Sequence, residues 1–174
     1  MADGPFDPDT GELSPRDPSL EDLVSLCRSL IREGAVFIIV GGFAIRSSGY
    51  PRHTGDIDLL IDASLENEAR VFAALATLAD GCVRELDPGD VAKYTVVRVA
   101  DEILIDLMAS ASGIDYAEAS QSIVHREIDG VSIPFASPEL LWRMKSRAGR
   151  AKDQGDLHFL RHWFAARGQT PPAP

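Results

Sequence analysis

Two aspartates, Asp56 and Asp58, open an apolar run that ends at Ile61. In a β-strand, residues two apart point to the same face, so the two carboxylates stand side by side while Ile57 and Leu59 face a core. Carboxylates about 6–7 Å apart along a strand can jointly hold hard divalent cations such as Mg²⁺. The pair therefore predicts a metal site at the start of a strand.

A glycine pair, Gly41-Gly42, ends an earlier apolar run, and thirteen residues separate it from the aspartates. An apolar run that stops at a double glycine is typical of a buried strand followed by a tight turn. At the start of the short helix predicted next, backbone N–H groups are bare and the helix dipole adds positive potential, and both favour phosphate. Metal-binding carboxylates close to a phosphate cradle imply chemistry on a nucleoside triphosphate.

Asp-x-Asp also occurs in haloacid-dehalogenase-type phosphatases and in glycosyltransferases with a metal site. In both of those classes the apolar strand precedes the aspartates, whereas here it follows them. The glycine pair lacks the third spaced glycine of a dinucleotide-binding fingerprint, and no Walker lysine follows it. The order of the two motifs therefore favours a nucleotidyl transfer site over these alternatives.

Asp106 is a third candidate acid, because it lies within the apolar strand predicted over 103–108. Strand 94–99 precedes it, and the turn at 100–102 predicts a hairpin. An acid in an apolar strand costs free energy unless a cation or hydrogen bonds meet it, and a shared metal would serve. The alternative is an aspartate in water at a strand edge. Asp62 is in phase with Asp56 and Asp58 and competes as the third acid, but its place at the end of the strand suggests a role at the start of the next helix.

The glycine pair followed by Asp56-x-Asp58 resembles the signature of the DNA-polymerase-β-like nucleotidyltransferase superfamily. The string GGFAIRSSGYPRHTGDIDLLID is similar to the small bacterial branch that includes the AbiEii-like toxins and the minimal nucleotidyltransferases. The likeness covers 36–62 and extends to 102–108 and 137–160. It implies an α/β (α+β) nucleotidyltransferase fold, a short mixed twisted sheet flanked by helices with further helices at the C-terminus. It also implies transfer of a nucleoside monophosphate from an NTP to an acceptor hydroxyl with release of pyrophosphate, and it leaves open a toxin-like role.

The resemblance implies that Asp56, Asp58 and Asp106 are both the catalytic and the metal-binding residues. They would hold two Mg²⁺ ions, with Mn²⁺ as an alternative ion. One ion would escort the triphosphate, and the other would lower the pKa of the acceptor hydroxyl. Asp106 would serve the second ion and act as general base.

The nucleotide-binding residues are expected in three places. The glycine pair lets the backbone approach the β- and γ-phosphates. A loop arginine and threonine before the aspartates resemble family residues that hold phosphate oxygens, and an arginine one helical turn past the glycines is either a phosphate ligand or half of an exposed salt bridge. A basic run over 143–152 resembles the C-terminal element of the AbiEii-like branch, although such a run is usually a solvated helix face. These residues are Gly41, Gly42, Arg46, Arg52, Thr54, Lys145 and Lys152.

The chain has 174 residues, of which 45% are hydrophobic and 25% charged, and this composition predicts one globular domain with a single core. We expect a disordered acidic tail over 1–18, a nucleotidyltransferase core over 19–136, a helical element over 137–167 packed on the core and a disordered tail over 168–174. Within the core, helices capped by Ser19 and Ser64, a short strand over 82–86 and a hairpin over 123–135 are predicted.

The formal net charge is −10, which argues against a protein that coats nucleic acid non-specifically. Five acids and one base in residues 1–18 account for −4 of it. No apolar run approaches the length of a membrane span, and the N-terminus lacks the pattern of a signal peptide. Cys27 and Cys82 have no metal-ligand spacing, and reduced thiols in a cytoplasmic protein are the expectation.

The acceptor is not specified by the sequence and could be RNA, a protein hydroxyl or a small molecule such as an aminoglycoside. The chain has little room for a dedicated substrate domain, so a protein partner or a homodimer could complete the site. The alternative to an enzyme is a nucleotide-binding or partner-binding module that has the same fold without turnover.

Overall fold

The structure, a computed structural model, describes residues 14–174. Its strands form one six-stranded mixed sheet and a separate two-stranded ribbon. In chain order, the elements are α1 (Leu20–Arg32), β1 (Phe37–Val40), α2 (Gly41–Ser47), β2 (Asp56–Ile61), α3 (Leu65–Leu75), a 3₁₀ turn (Cys82–Glu85), α4 (Asp90–Lys93), β3 (Val97–Ala100), β4 (Leu104–Met108), β5 (Ser110–Ala111), β6 (Ile114–Asp115), α5 (Tyr116–Ala119), β7 (Ile123–Ile128), β8 (Val131–Ala136), α6 (Pro138–Ala148), a second 3₁₀ turn (Ala151–Asp153) and α7 (Gln154–Ala165).

The helix starts follow from capping side chains that the sequence displays. Ser19 and Asp22 form a reciprocal capping box at α1, and Ser64 accepts the N–H of Asn67 at α3. Ser137 caps α6, whose first residue is Pro138. The helices predicted at Ser19 and Ser64 are confirmed.

The sheet order is β3-β4-β2-β1-β8-β7. Strands β1 and β2 are antiparallel, and β2 pairs in parallel with β4, which is itself one arm of the β3–β4 hairpin. Strand β8 joins the other side of β1 in parallel and carries the β7 hairpin arm. This mixed sheet with helices around it confirms the predicted α/β architecture.

The core lies on both sides of the central strands. All four residues of β1 are buried, and in β2 the residues Ile57, Leu59, Leu60 and Ile61 are fully buried although they alternate between the two faces. Helix α1 packs against α3 and β8, and α2 packs against β1, β2 and α6. Because both faces of β2 are covered, the partly exposed aspartates at its start lie at the edge of an otherwise closed core.

The prediction of a short strand over 82–86 is wrong, because Cys82–Glu85 forms a 3₁₀ turn. Gly81 takes a left-handed conformation (φ +64°) just before it. The buried carboxylate of Asp101 accepts the backbone N–H groups of Asp80 and Cys82, at 2.9 and 3.0 Å. These bonds hold the segment as a turn against the β3–β4 loop.

Of the two predicted tails, the first is described only from residue 14 onwards, since residues 1–13 lie outside the described residues, and the second (168–174) is described in full. Arg16 donates its backbone N–H to Glu102 O at 3.0 Å, and its guanidinium donates to both carboxylate oxygens of Asp22 at 2.6 and 2.8 Å. Residues 14–18 therefore lie against the domain. At the other end, Trp142 Nε1 donates to Pro172 O at 2.9 Å, so the last residues also contact α6. Among residues 14–174, no helix has the length and apolarity that a membrane crossing requires.

Candidate active site

Asp56, Asp58 and Asp106 come together at one end of the central strands. In the parallel pair of β2 and β4, Asp58 lies directly beside Asp106, and Asp56 precedes Asp58 on the same face. One carboxylate oxygen from each residue can be chosen so that all three lie within 4.8 Å of one another. Alternation along one strand predicts that Asp56 and Asp58 lie side by side. The parallel pairing of β2 with β4 brings the predicted third acid, Asp106, beside them.

The Asp58 carboxylate lies close to both other carboxylates of the cluster. Its burial, together with the negative charges of Asp56 and Asp106, raises the pKa of Asp58 from its ordinary value of 3.8 to about 7. Lys145 and Lys152 attract the carboxylate and oppose this rise. The protein itself therefore does not supply enough positive charge to stabilise three ionised carboxylates at this position.

The glycine pair is required by the packing of the site. Gly41 has φ +63°, and a Cβ there would lie 2.0 Å from Asp58 Oδ2. A Cβ on Gly42 would lie 2.3 Å from the Oγ1 of the buried Thr54. The absence of both side chains lets the start of α2 pack directly on Asp58 and on the loop before β2.

Arg98 is a residue of the site that sequence reasoning missed. It lies on β3 directly across from Asp106 in the antiparallel register. Its Nε and Nη2 donate to the two carboxylate oxygens of Asp106 at 2.7 and 2.8 Å, and Nη2 also donates to Asp56 Oδ2 at 3.2 Å. These carboxylates raise the pKa of Arg98, Asp106 most of all. The signal was present in the hairpin, because Arg98 and Asp106 are equally distant from its centre at residue 102.

A second group of charges lies on the C-terminal element, and we call it the C-terminal ion network. Lys145 Nζ lies 2.9 Å from Asp153 Oδ1 and 2.8 Å from Asp156 Oδ2. Arg150 Nε donates to Asp153 Oδ2 at 2.7 Å, and Arg52 Nη2 donates to Asp156 Oδ2 at 2.9 Å. Burial alone would raise the pKa of Asp153, but the bonds from Lys145 and Arg150 hold it below its ordinary value.

Two of the predicted nucleotide ligands, Arg52 and Lys145, thus already have partners in this network. Lys145 is 5% exposed and joins α6 to the start of α7, while Arg52 ties the loop before β2 to α7. At Lys145, the basic run is therefore buried and forms ion pairs rather than a solvated helix face.

The remaining predicted ligands are placed differently. Lys152 is exposed and lines the cavity in front of the aspartates, as does Thr54, whose Oγ1 donates to Asp56 O at 3.1 Å. Arg46 is exposed, does not line this cavity, and has its guanidinium 5.3 Å from the centre of the Phe43 ring. Asp62 lies outside the cluster and accepts the N–H of Ser64 at the start of α3, as its place at the strand end predicts.

The cavity has a volume of about 450 Å³. The acids Asp56, Asp58 and Asp106 line it from the sheet, and Lys145, Arg150 and Lys152 line it from the C-terminal element. A cavity of this size can bury most of a small-molecule ligand. This combination of acidic and basic residues suits a ligand that combines metal cations with an anionic chain.

The residues fit divalent metal ions. The donors are carboxylate oxygens, which Mg²⁺ and Mn²⁺ prefer, and three of them converge within the reach of shared ions. The raised pKa of Asp58 shows that negative charge accumulates there without sufficient compensation. Asp56, Asp58 and Asp106 are the residues of the described chain that would hold such ions.

Comparison with known proteins agrees with this fold. The family described as "Nucleotidyl transferase of unknown function (DUF2204)" matches residues 19–169. No curated relative matches the chain. Among solved structures, a candidate nucleotidyltransferase from Thermotoga maritima is similar with a TM-score of 0.53 and 18% identity, over 85% of this chain and 93% of that one. An antigenic nucleotidyltransferase-like protein from Paracoccidioides brasiliensis is similar with the same TM-score and identity, over 88% of this chain and 78% of that one.

Proposed function

This chain belongs to the nucleotidyl transferase family of unknown function (DUF2204), and we propose that it moves a nucleoside monophosphate from an NTP to an acceptor hydroxyl. In this reaction the acceptor oxygen forms a bond to the α-phosphorus while the bond from that phosphorus to the bridging oxygen of the β-phosphate breaks. Pyrophosphate leaves, and the proton of the hydroxyl passes to a carboxylate or to water. The reduced cysteines Cys27 and Cys82 are compatible with a cytoplasmic enzyme.

The observation that carries the proposal is the convergence of three carboxylates beside a cavity that lysine and arginine residues of the C-terminal element also line. Divalent ions held by these carboxylates, Mg²⁺ first and Mn²⁺ as an alternative, would neutralise the charge of the triphosphate and lower the pKa of the acceptor hydroxyl. Asp56 and Asp58 would serve the nucleotide side. Asp106 would serve the acceptor side and accept the proton.

The rest of the cavity would position the triphosphate. Gly41 and Gly42 line the cavity without side chains, Gly41 next to Asp58 and Gly42 next to Thr54, so their backbone would be open to a phosphate. Lys152 is an exposed cation that lines the cavity from the C-terminal element and is the direct phosphate ligand that we favour. Arg52 and Lys145 would act mainly by holding the loop and the C-terminal helices in place, since their charged groups already bind Asp153 and Asp156.

A non-catalytic nucleotide-binding module is the second candidate, because such a module would need the same cavity. The two functions differ in one result. A module binds an NTP in the presence of Mg²⁺ but releases no pyrophosphate with any acceptor, whereas a transferase transfers label from the α-phosphate.

The test is incubation of the protein with each α-labelled NTP, Mg²⁺ and a cell extract, followed by fractionation into RNA, protein and small molecules. We expect one fraction to retain label with the wild type and to lose it with Asp106→Asn. That variant should keep much of the NTP affinity, because Asn preserves the size of Asp and loses only its charge. Label in no fraction, with Mg²⁺-dependent NTP binding intact, would overturn the transferase in favour of the module.

A further inference from the structure

Arg98 occupies the space between two of the three aspartates. Its Nη2 lies 2.8 Å from Asp106 Oδ2 and 3.2 Å from Asp56 Oδ2. A cation shared by these two carboxylates would need the same space. Among the contacts of residues 14–174, Arg98 makes no hydrogen bond to Asp58. Asp56 and Asp106 therefore share a cationic partner that Asp58 does not contact.

Arg98 is the more exposed partner of this ion pair. Its side chain is 52% exposed, and it extends from β3, the edge strand of the sheet, into the wall of the cavity. The Asp106 side chain is only 10% exposed and is fixed on β4. If one partner of the pair moves, it is therefore the long arginine side chain rather than the aspartate.

We propose that Arg98 is an internal counter-cation that competes with a divalent ion for Asp56 and Asp106. In the free protein the guanidinium binds both carboxylates and offsets one of their two charges, and an ion can enter only on the side of Asp56 and Asp58. An ion shared by Asp56 and Asp106 then requires that Arg98 withdraw into the cavity. This inference rests on the proposed function only in that the triad holds divalent ions.

The alternative role for Arg98 is to orient Asp106, as a bidentate arginine often does for a carboxylate. The two roles predict opposite effects of removing the guanidinium. A competing cation weakens binding of the ion, so its loss strengthens that binding. A positioning residue supports the ligand, so its loss weakens the binding.

The experiment is titration of the nucleotide-free protein with Mn²⁺, following the free ion by electron paramagnetic resonance at fixed ionic strength. Arg98→Gln removes the charge and keeps a polar side chain. We expect the second equivalent of Mn²⁺ to bind at least about tenfold more tightly in R98Q than in the wild type, because a unit charge within hydrogen-bond distance of the carboxylates repels the ion strongly. Equal or weaker binding in R98Q would overturn the proposal.

Arg126→Gln is the matched control, because Arg126 is exposed on β7, the opposite edge strand. It removes the same charge from the same sheet without touching the triad, so its Mn²⁺ titration should match that of the wild type. A rise in R126Q equal to that in R98Q would also overturn the proposal, since it would show an effect of net charge alone. If R98Q loses its cooperative unfolding, Arg98→Met is titrated instead. Methionine removes the charge and keeps a long unbranched side chain, and no gain in affinity in R98M would then contradict competition.

This result is separable from the proposed function. Label transfer without any effect of R98Q on Mn²⁺ binding would remove the role of Arg98 and leave the transferase. Tighter Mn²⁺ binding in R98Q without label transfer would keep the role of Arg98 and remove the transferase.

Discussion

Two charged groups line the cavity, the aspartate triad on the sheet and the C-terminal ion network, and they differ in how many cations pair with their carboxylates. On the sheet side, three carboxylates meet one arginine, and that arginine is half exposed. In the C-terminal ion network, two carboxylates meet three cations, and Lys145, Asp153 and Asp156 are each at least 94% buried. Residues of both groups line the same cavity, and apart from Arg52 the network comes from residues 145–156, after the strands that carry the triad.

The difference separates charge that holds the fold from charge that is left for a ligand. Buried carboxylates are stable when every one has a cationic partner, and the network meets that condition. The triad does not meet it, and burial together with the charges of Asp56 and Asp106 raises the pKa of Asp58. We therefore expect loss of a charge in the network to destabilise the fold and loss of a charge in the triad to stabilise the metal-free fold.

The largest effect is expected for Lys145→Ala, which breaks the network at its centre. The variant leaves Asp153 and Asp156 short of one cation in a buried place, and such a break costs about 3–5 kcal/mol of the free energy of unfolding. Urea denaturation measures the loss. Lys152→Ala is the control, because this lysine is exposed and should change stability by less than about 0.5 kcal/mol. Equal losses in the two variants would show that the network is not a buried unit.

Gly41→Ala should be next, at about 2–3 kcal/mol, because it adds left-handed strain and displaces the Asp58 carboxylate. Gly149→Ala separates the two causes. Gly149 has φ +59°, close to the φ +63° of Gly41, but a Cβ there meets nothing within 4 Å. We expect Gly149→Ala to lose less stability and to keep Mn²⁺ binding, while Gly41→Ala loses both. Equal behaviour of the two variants would mean that contact with Asp58 plays no part.

Asp58→Asn should raise the stability of the metal-free protein by about 1–2 kcal/mol at pH 8. The pKa of Asp58 is about 7 in the folded state against an ordinary value of 3.8. A raised pKa means that the contribution of this group is fully present below pH 3.8 and is lost as the pH rises through 7. The gain in Asp58→Asn, measured by thermal unfolding in chelator, should therefore be small at pH 5 and larger at pH 8.

Asp62→Asn is the control for that profile. Hydrogen bonds from Ser64 lower the pKa of Asp62, so its substitution should not stabilise the protein at pH 8. A gain in Asp62→Asn that matches the gain in Asp58→Asn would attribute the effect to net charge rather than to the triad.

The smallest effect is expected for Arg16→Ala, which removes an ion pair outside both groups. Arg16 and Asp22 are 29% and 18% exposed, and pairs near the surface contribute at most about 1 kcal/mol. Arg16 lowers the pKa of Asp22 to about 2, so this contribution is present above the ordinary value of 3.8 and is lost as the pH falls through 2. A loss at neutral pH as large as that of Lys145→Ala would contradict the distinction between buried and exposed pairs.

The parts of the site that depend on local sequence could be predicted. Alternation along one strand is enough to pair Asp56 with Asp58, and an acid within an apolar strand is enough to single out Asp106. The interpretation of Asp106 was incomplete in one respect. A metal ion was the only cation considered as its partner, whereas Arg98 lies directly across the hairpin and binds the Asp106 carboxylate.

The parts that depend on tertiary contacts could not be predicted. Lys145 was predicted to be a nucleotide ligand. Its ion pairs could not be predicted, because its carboxylate partners follow a turn and meet it only through the packing of α6 and α7. Arg46 is one helical turn past the glycines, yet the direction of α2 points it away from the cavity. The 3₁₀ turn at Cys82–Glu85 is fixed by Asp101, about twenty residues further along the chain.

The most direct test of the account is the affinity of the wild-type protein for each NTP, measured by titration calorimetry in Mg²⁺ and again in chelator. Three carboxylates with one exposed counter-charge should repel a bare triphosphate and accept one accompanied by divalent ions. We predict that at least one NTP binds about tenfold or more tightly in Mg²⁺ than in chelator. Equal affinity in the two conditions would contradict the assignment of Asp56, Asp58 and Asp106 as the metal-binding centre of a nucleotidyltransferase.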